Sequence, residues 1–256
     1  MIPLKDNIPT SRFPFVTVAL ILANVVVYLL AVRHGGSVIS GPATPEVVKY
    51  GAIPFELTHP AEHCTLVNTA RGEAIGCGTG AVAGQIPTWQ TVFTAMFMHA
   101  SILHIAGNML FLWIFGNNVE DAMGPVKYVG FYILGGIAAL ALQVAVGPNS
   151  TAPTLGASGA IAAVLGGYIL LYPRARVLTL VFIILFFTVI ELPALIVLGF
   201  WFIEQAVFGA ADLTNPTGGG GGVAYFAHVG GFVFGLATIK LLATRRRQVQ
   251  PRYPVY

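Results

Sequence analysis

Apolar residues fall into long, nearly uncharged runs separated by short polar connections. Six such runs predict six helical spans: Pro14 to Val32, Phe97 to Phe115, Tyr128 to Val146, Leu155 to Tyr172, Ala194 to Phe208 and Ala224 to Ala243. Each is near the roughly 20 residues that a helix needs to cross about 30 Å of hydrocarbon. The first run is too long for the apolar core of a cleaved signal peptide, and no small-residue cleavage site follows it, so it reads as a retained span. The stretch from Val177 to Phe208 is too long for one span and too short for two with a turn. Glu191 and Pro193 break it, and its second half is assigned to the span. The piece Val177 to Val189 reads either as an interfacial hairpin or as an extension of a tilted helix.

Composition supports lipid as the solvent. Hydrophobic residues make up 56% of the chain and charged residues 9%, whereas a soluble domain carries about 25% charged residues. Mean hydropathy is +0.79. The expected class is an all-α membrane protein, a six-helix transmembrane bundle over residues 1–243 followed by a basic tail over 244–256. The net charge of +3 comes largely from that tail, which suits anionic lipid headgroups and says little for nucleic acid.

Lys and Arg also set orientation. Lys5, Arg12, Lys127, Arg174, Arg176, Lys240, Arg245, Arg246, Arg247 and Arg252 fall on the side of the termini, against Arg33, Lys49 and Arg71 on the other. The positive-inside bias predicts both termini in the cytoplasm of a multi-pass protein of the cell membrane. The loop from Arg33 to Gln90 is then outside, as is the loop from Gly209 to Val223. The run Gly218 to Gly222 in the latter has little conformational restraint. No internal repeat stands out, which argues against a transporter built from inverted halves.

Polar residues inside apolar spans are costly and face the bundle interior. Here they gather near the outer ends of the second, fourth and sixth spans. His99, His104 and Asn108 lie on the second, Ser158 three residues into the fourth, and His228 four residues into the sixth. His104 and Asn108 are four apart, hence on one helix face. Ser158 stands in Gly156-Ala157-Ser158-Gly159 at a helix start, where unpaired backbone N–H groups and the helix dipole favour an oxyanion. By itself that string reads more readily as helix packing or capping. His228 precedes Gly231 and Gly235, a small-xxx-small face that matches the row Gly159, Ala163 and Gly167 on the fourth span. Such packing brings a hydroxyl and an imidazole within reach, as nucleophile activation requires. No carboxylate is obviously level with His228. Neither Glu191, near the cytoplasmic end, nor Glu204 is obviously level with it, so a Ser–His dyad without a carboxylate orienter is expected. Glu120 and Asp121 read as structural residues that cap a helix or pair with Lys127.

Taken together, these strings resemble the rhomboid intramembrane serine proteases. The resemblance rests on His99-Ala100-Ser101-Ile102-Leu103-His104-Ile105-Ala106-Gly107-Asn108, on Gly156-Ala157-Ser158-Gly159, and on Ala227-His228 with Gly231 and Gly235. It covers about Trp89 to the end of the sixth span. It implies Ser158 as nucleophile and His228 as general base and acid. It further implies an oxyanion hole from the Asn108 side chain, His104 and the backbone N–H groups of Ala157 and Ser158. Substrates would be single-span membrane proteins cut near the membrane edge, with no metal or organic cofactor, and the fifth span with its outer loop would act as a lateral gate. Two departures stand out. The family's frequent Trp-Arg pair before the second span is Trp89-Gln90 here, and the outer loop carries an insertion over roughly Glu56 to Gly84.

That insertion holds the only two cysteines, Cys64 and Cys77. An even pair outside the cytoplasm reads as a disulfide. Zinc held with His59 and His63 is the sharper alternative, though the spacing matches no familiar site. Two readings from other classes stay open. One is a channel or transporter with a vestibule lined by His99, His104 and His228, and the other is a non-catalytic membrane chaperone that binds unstable helices.

Overall fold

The computed structural model describes all residues except 71, 81, 184–185, 215–222 and 245–256. The expected Gly218–Gly222 segment and the basic tail from Arg245 onward lie outside the described residues.

In chain order the elements are β1 (Ile2–Asp6), α1 (Phe15–Arg33), β2 (Gly36–Ser37), β3 (Gly41–Pro42), α2 (Thr44–Tyr50), α3 (Pro54–Thr58), β4 (Glu62–Thr69) and β5 (Gly72–Thr79). They continue as α4 (Thr88–Thr94), α5 (Ile102–Phe111), a π-helical turn (Leu112–Gly116), α6 (Asn117–Met123), α7 (Pro125–Val146), α8 (Ser158–Leu171), β6 (Arg176–Ile183), β7 (Phe186–Pro193), α9 (Ala194–Thr214) and α10 (Tyr225–Leu242). The protein is a helical bundle of multi-pass membrane type. Among the described residues, five helices are long and apolar enough to cross a membrane: α1, the continuous α5–α6 rod, α7, α9 and α10. The sixth expected span is α8, which has only 14 residues. At 1.5 Å per residue it measures about 21 Å, short of the roughly 30 Å hydrocarbon core.

Helix α8 is the axis of the bundle. Every residue from Gly159 to Ile169 is buried, and its small side chains let neighbours approach closely. A Cβ on Gly231 of α10 would run into the carbonyl oxygen of Gly159, one on Gly235 into that of Ala163, and one on Gly166 of α8 into that of Phe232. On the α7 side, a Cβ on Gly159 would meet that of Ala139 at 2.6 Å. Larger side chains fill the core elsewhere, with Phe115, Phe131, Tyr128, Tyr132 and Tyr168 fully buried.

The ends of the bundle carry strands that helical periodicity did not give. The stretch Val177 to Val189 is a β-hairpin, not a helix extension. Strand β6 pairs antiparallel with β7 and, on its other edge, with β1, giving the order β1-β6-β7. Its outer residues Phe182, Phe186 and Phe187 are exposed. The run lacks the polar alternation that marks half-buried strands, so its sequence left the hairpin and the helix extension both open. The sheet is tied to the bundle by Asp6, which accepts hydrogen bonds from Tyr168 Oη and from Asn118 Nδ2 (2.7 Å). Burial pushes the Asp6 carboxyl up to about 7, outweighing the hydrogen bond from Tyr168.

Glu120 is a structural residue, but its partner is not Lys127. Its carboxylate accepts the Val16 and Thr17 N–H groups and the Thr17 hydroxyl, at 3.0, 2.8 and 2.8 Å. It therefore caps the start of α1, whose own N-cap position is Pro14, with no side-chain acceptor. Asp121 accepts from Ser11, and Lys127 donates to the Leu242 carbonyl.

The insertion in the long loop is a second hairpin, β4–β5, in which Cys64 faces Cys77 and the two form a disulfide. Both sulfurs are thereby taken, so the zinc alternative loses its thiolates. Buried Glu56 accepts the Cys64 N–H (2.6 Å) and Gln85 Nε2 (2.7 Å), anchoring the hairpin to the chain on either side.

Candidate active site

Three helices present polar groups at one end of the bundle. Helix α5 starts later than the apolar run suggests, because Ser101 caps it and accepts the His104 N–H at 3.2 Å. His99 therefore precedes the helix. It is fully buried, with its ring packed edge-on to that of His104 at 5.1 Å. His104 is the third residue of α5 and Asn108 the seventh, one turn further along the same face. Asn108 is buried, and its Nδ2 has no hydrogen-bond partner among the described residues.

Helix α8 also starts later than expected. Gly156 has φ +123, a left-handed conformation that stops helix propagation from Leu155. Ser158 is thus the first helical residue, following Ala157, and no side chain caps the helix start. The first backbone N–H groups there have no intrahelical partner. Gly156 N–H donates to the Ala95 carbonyl at 2.8 Å, which fixes the loop. Glycine at 156 also keeps a space open. A Cβ there would lie 2.8 Å from His104 Nε2 and 3.5 Å from Ser158 Oγ. His104 Nε2, Ser158 and the start of α8 therefore border one small volume.

Helix α10 brings in His228 as its fourth residue. Its Nε2 lies 2.7 Å from Ser158 Oγ. The start of α10 is held by α7, where Gln143 Oε1 accepts the Ala227 N–H at 3.1 Å. The close backbone contact of Gly231 with Gly159, one turn along, sets the Ser158–His228 distance. A hydroxyl hydrogen-bonded to a half-buried imidazole is the pair that nucleophile activation needs. Beside Ser158 lies a cavity of about 30 Å³ bordered by Met96, Gly136, Gly156, Gly159, Ala160 and Ala227 among others. That is room for a water molecule or a group of methyl size.

A family model for the rhomboid domain matches residues 87–245, more than half of the chain. The chain belongs to the rhomboid family. Among relatives of this rhomboid, Rhomboid protein 1, mitochondrial, of Saccharomyces cerevisiae is 30% identical over 157 residues, covering 57% of this chain and 40% of that protein. RHOMBOID-like protein 12, mitochondrial, of Arabidopsis thaliana is likewise 30% identical over 157 residues, covering 55% and 43%. Presenilin-associated rhomboid-like protein, mitochondrial, of Homo sapiens is 33% identical over 93 residues, covering 35% and 24%. The matches thus span less than half the length of these curated relatives.

One residue at the rhomboid site escaped the sequence reading. Gln205 of α9 is buried, and its Oε1 lies 2.7 Å from His228 Nδ1. The usual orienter of a catalytic histidine is a carboxylate, and neither acidic residue of this region fills that place. Glu204 next to it is exposed, and Glu191 pairs with Arg176 at 3.2 Å at the far end of the hairpin. The available signal was an uncharged amide inside an apolar helix, which carries the same presumption of an inward role as a charged group. Trp201, one turn before Gln205, sets its ring against the imidazole with centroids 5.6 Å apart.

Proposed function

We propose that this protein is an intramembrane serine endopeptidase acting through a Ser158–His228 dyad. The observation that carries the reading is the 2.7 Å contact between Ser158 Oγ and His228 Nε2, on two helices whose glycines lock them together. Ser158 Oγ attacks the scissile carbonyl carbon while His228 Nε2 takes its proton. The tetrahedral oxyanion collapses, the C–N bond breaks, and His228 returns the proton to the leaving amine. Water, deprotonated in turn by His228, then hydrolyses the acyl-enzyme. The buried Asn108 Nδ2, without a partner among the described residues, His104 and the backbone N–H groups of Ala157 and Ser158 are the donors for the oxyanion. The chemistry asks for no metal or organic cofactor.

Substrates are single-span membrane proteins, unwound near the outer membrane edge so that a strand reaches Ser158. The 30 Å³ cavity suits a small side chain next to the cut bond. The protein resides in the cell membrane with both termini cytoplasmic. This places β4–β5 outside, where the Cys64–Cys77 bridge is chemically at home.

The test is fluorophosphonate labelling of the purified chain together with cleavage of a reconstituted single-span protein. Ser158→Ala and His228→Ala each abolish both. Full activity in Ser158→Ala overturns the assignment. No labelling combined with solute flux in liposomes favours a channel. Binding of unstable helices that survives Ser158→Ala without any products favours a chaperone.

A further inference from the structure

We propose that Gln205 is the positioning residue of His228: its amide oxygen selects the imidazole tautomer that can act as base. The inference rests on the Ser158–His228 reading and adds a third member that is neither acidic nor on the same helices. Gln205 Oε1 lies 2.7 Å from His228 Nδ1, while His228 Nε2 lies 2.7 Å from Ser158 Oγ. An amide oxygen only accepts hydrogen bonds, so Nδ1 must carry the proton. Neutral imidazole has one N–H, which leaves the Nε2 lone pair directed at the serine hydroxyl. Were Nδ1 unpartnered, the proton could sit on Nε2, which would then donate to Ser158 and take no proton from it.

The same contact serves the charged state. Once His228 has taken the serine proton, its Nδ1–H still donates to the amide oxygen, whose dipole stabilises the imidazolium. A carboxylate would do this more strongly, but burying an ion among apolar helices is expensive. The amide supplies orientation without that penalty. Trp201 restrains the ring plane from the same helix, with ring centroids 5.6 Å apart. Of the titratable groups, His104 of α5 faces His228. From α9 the facing groups are Gln205 and Trp201, from α8 Ser158, and from α7 Gln143 holds the backbone nearby. Gln205 is therefore the group whose replacement changes what Nδ1 sees.

Two measurements on the full-length chain test this. In the first, ¹⁵N-histidine NMR is recorded in the Ser158→Ala background, where no chemistry is needed. His228 shows a protonated Nδ1 with Gln205 present, and Gln205→Leu moves it toward the Nε2–H form. An unchanged tautomer in Gln205→Leu overturns the proposal.

The second is the rate of fluorophosphonate labelling against pH with Ser158 intact. Gln205→Leu labels roughly 10–100-fold more slowly, less than the ~10⁴ lost with a wrong tautomer in the Ser-His-Asp template, at an unchanged unfolding midpoint. Gln205→Glu keeps the acceptor and restores labelling, with the acid limb of its profile moved to higher pH, a change that mere packing would not produce. Should Gln205→Leu fail to fold, a Gln205→Glu profile superimposable on wild type overturns the proposal. The expected NMR change without any labelling would leave Gln205 as the orienter and sink the protease reading instead.

Discussion

On the flank facing α8, α10 lays glycine backbone against backbone; on the flank facing α9 it meets rings and an amide. Gly231 and Gly235 touch the carbonyls of Gly159 and Ala163 so closely that no Cβ fits. Across from them, Phe232 stacks on Phe202 with centroids 4.5 Å apart, and Trp201 leans on both Phe232 and His228. Gly199 of α9 has no neighbour among the described residues within 4 Å of where a Cβ would stand. Backbone contact has no rotamers to adjust, so the first flank fixes a distance. Side-chain contact can reset by a torsion, so the second flank fixes an orientation. The proposed dyad needs both: a set separation between Ser158 and His228, and an imidazole ring turned the right way.

Substitutions on the two flanks should therefore fail differently. The largest effect is expected from Gly231→Val, which drives a branched side chain into the Gly159 carbonyl. Overpacking ordinarily costs about 1–3 kcal/mol; with rigid backbone on the far side, a loss of about 3 kcal/mol or more is expected, seen as a lowered unfolding midpoint and near-complete loss of labelling. Trp201→Leu comes next. Aromatic pairs contribute roughly 0.5–1.5 kcal/mol beyond their buried area, so stability should fall by about 1 kcal/mol while labelling slows several-fold as the ring of His228 loosens. Activity lost in step with stability would mean that Trp201 only packs. Gly199→Ala should do least. Nothing opposes the new methyl, and alanine is favoured over glycine in a helix by up to about 1 kcal/mol. An unchanged labelling rate with an equal or slightly higher unfolding midpoint is expected; a marked loss would show that α9 is as tightly seated as α8 and would erase the contrast.

Much of this was readable beforehand where one physical rule dominates. Spans announce themselves by length and apolarity, and intramembrane polar groups such as His104, Asn108, Ser158 and His228 are conspicuous because they are costly there. The facing rows Gly231–Gly235 and Gly159–Ala163–Gly167 share the four-residue helical spacing. What escaped depends on partners that spacing does not encode. The start of α8 turns on a single positive φ at Gly156. For Val177 to Val189 an apolar run without alternation left hairpin and helix extension equally open, and the strand pairing decides for the hairpin. Gln205 went unnoticed because the orienter of a catalytic histidine is expected to be acidic, whereas the role proposed for it needs only a lone pair.

The cap supplied by Glu120 has a consequence for how the protein is made. It lies 103 residues beyond Thr17, and Tyr168, which holds the N-terminal strand through Asp6, lies 162 residues beyond its partner. At a ribosomal pace of about 5–20 residues per second, the first helix waits roughly 5–20 s for its cap, and the strand waits about 8–30 s for its anchor. The earliest-made part of the chain is completed by some of the later-made parts. Until α6 emerges, the start of α1 lacks its hydrogen-bond acceptor, and until α8 and β6 emerge, the N-terminal strand lacks both the Tyr168 donor and its sheet.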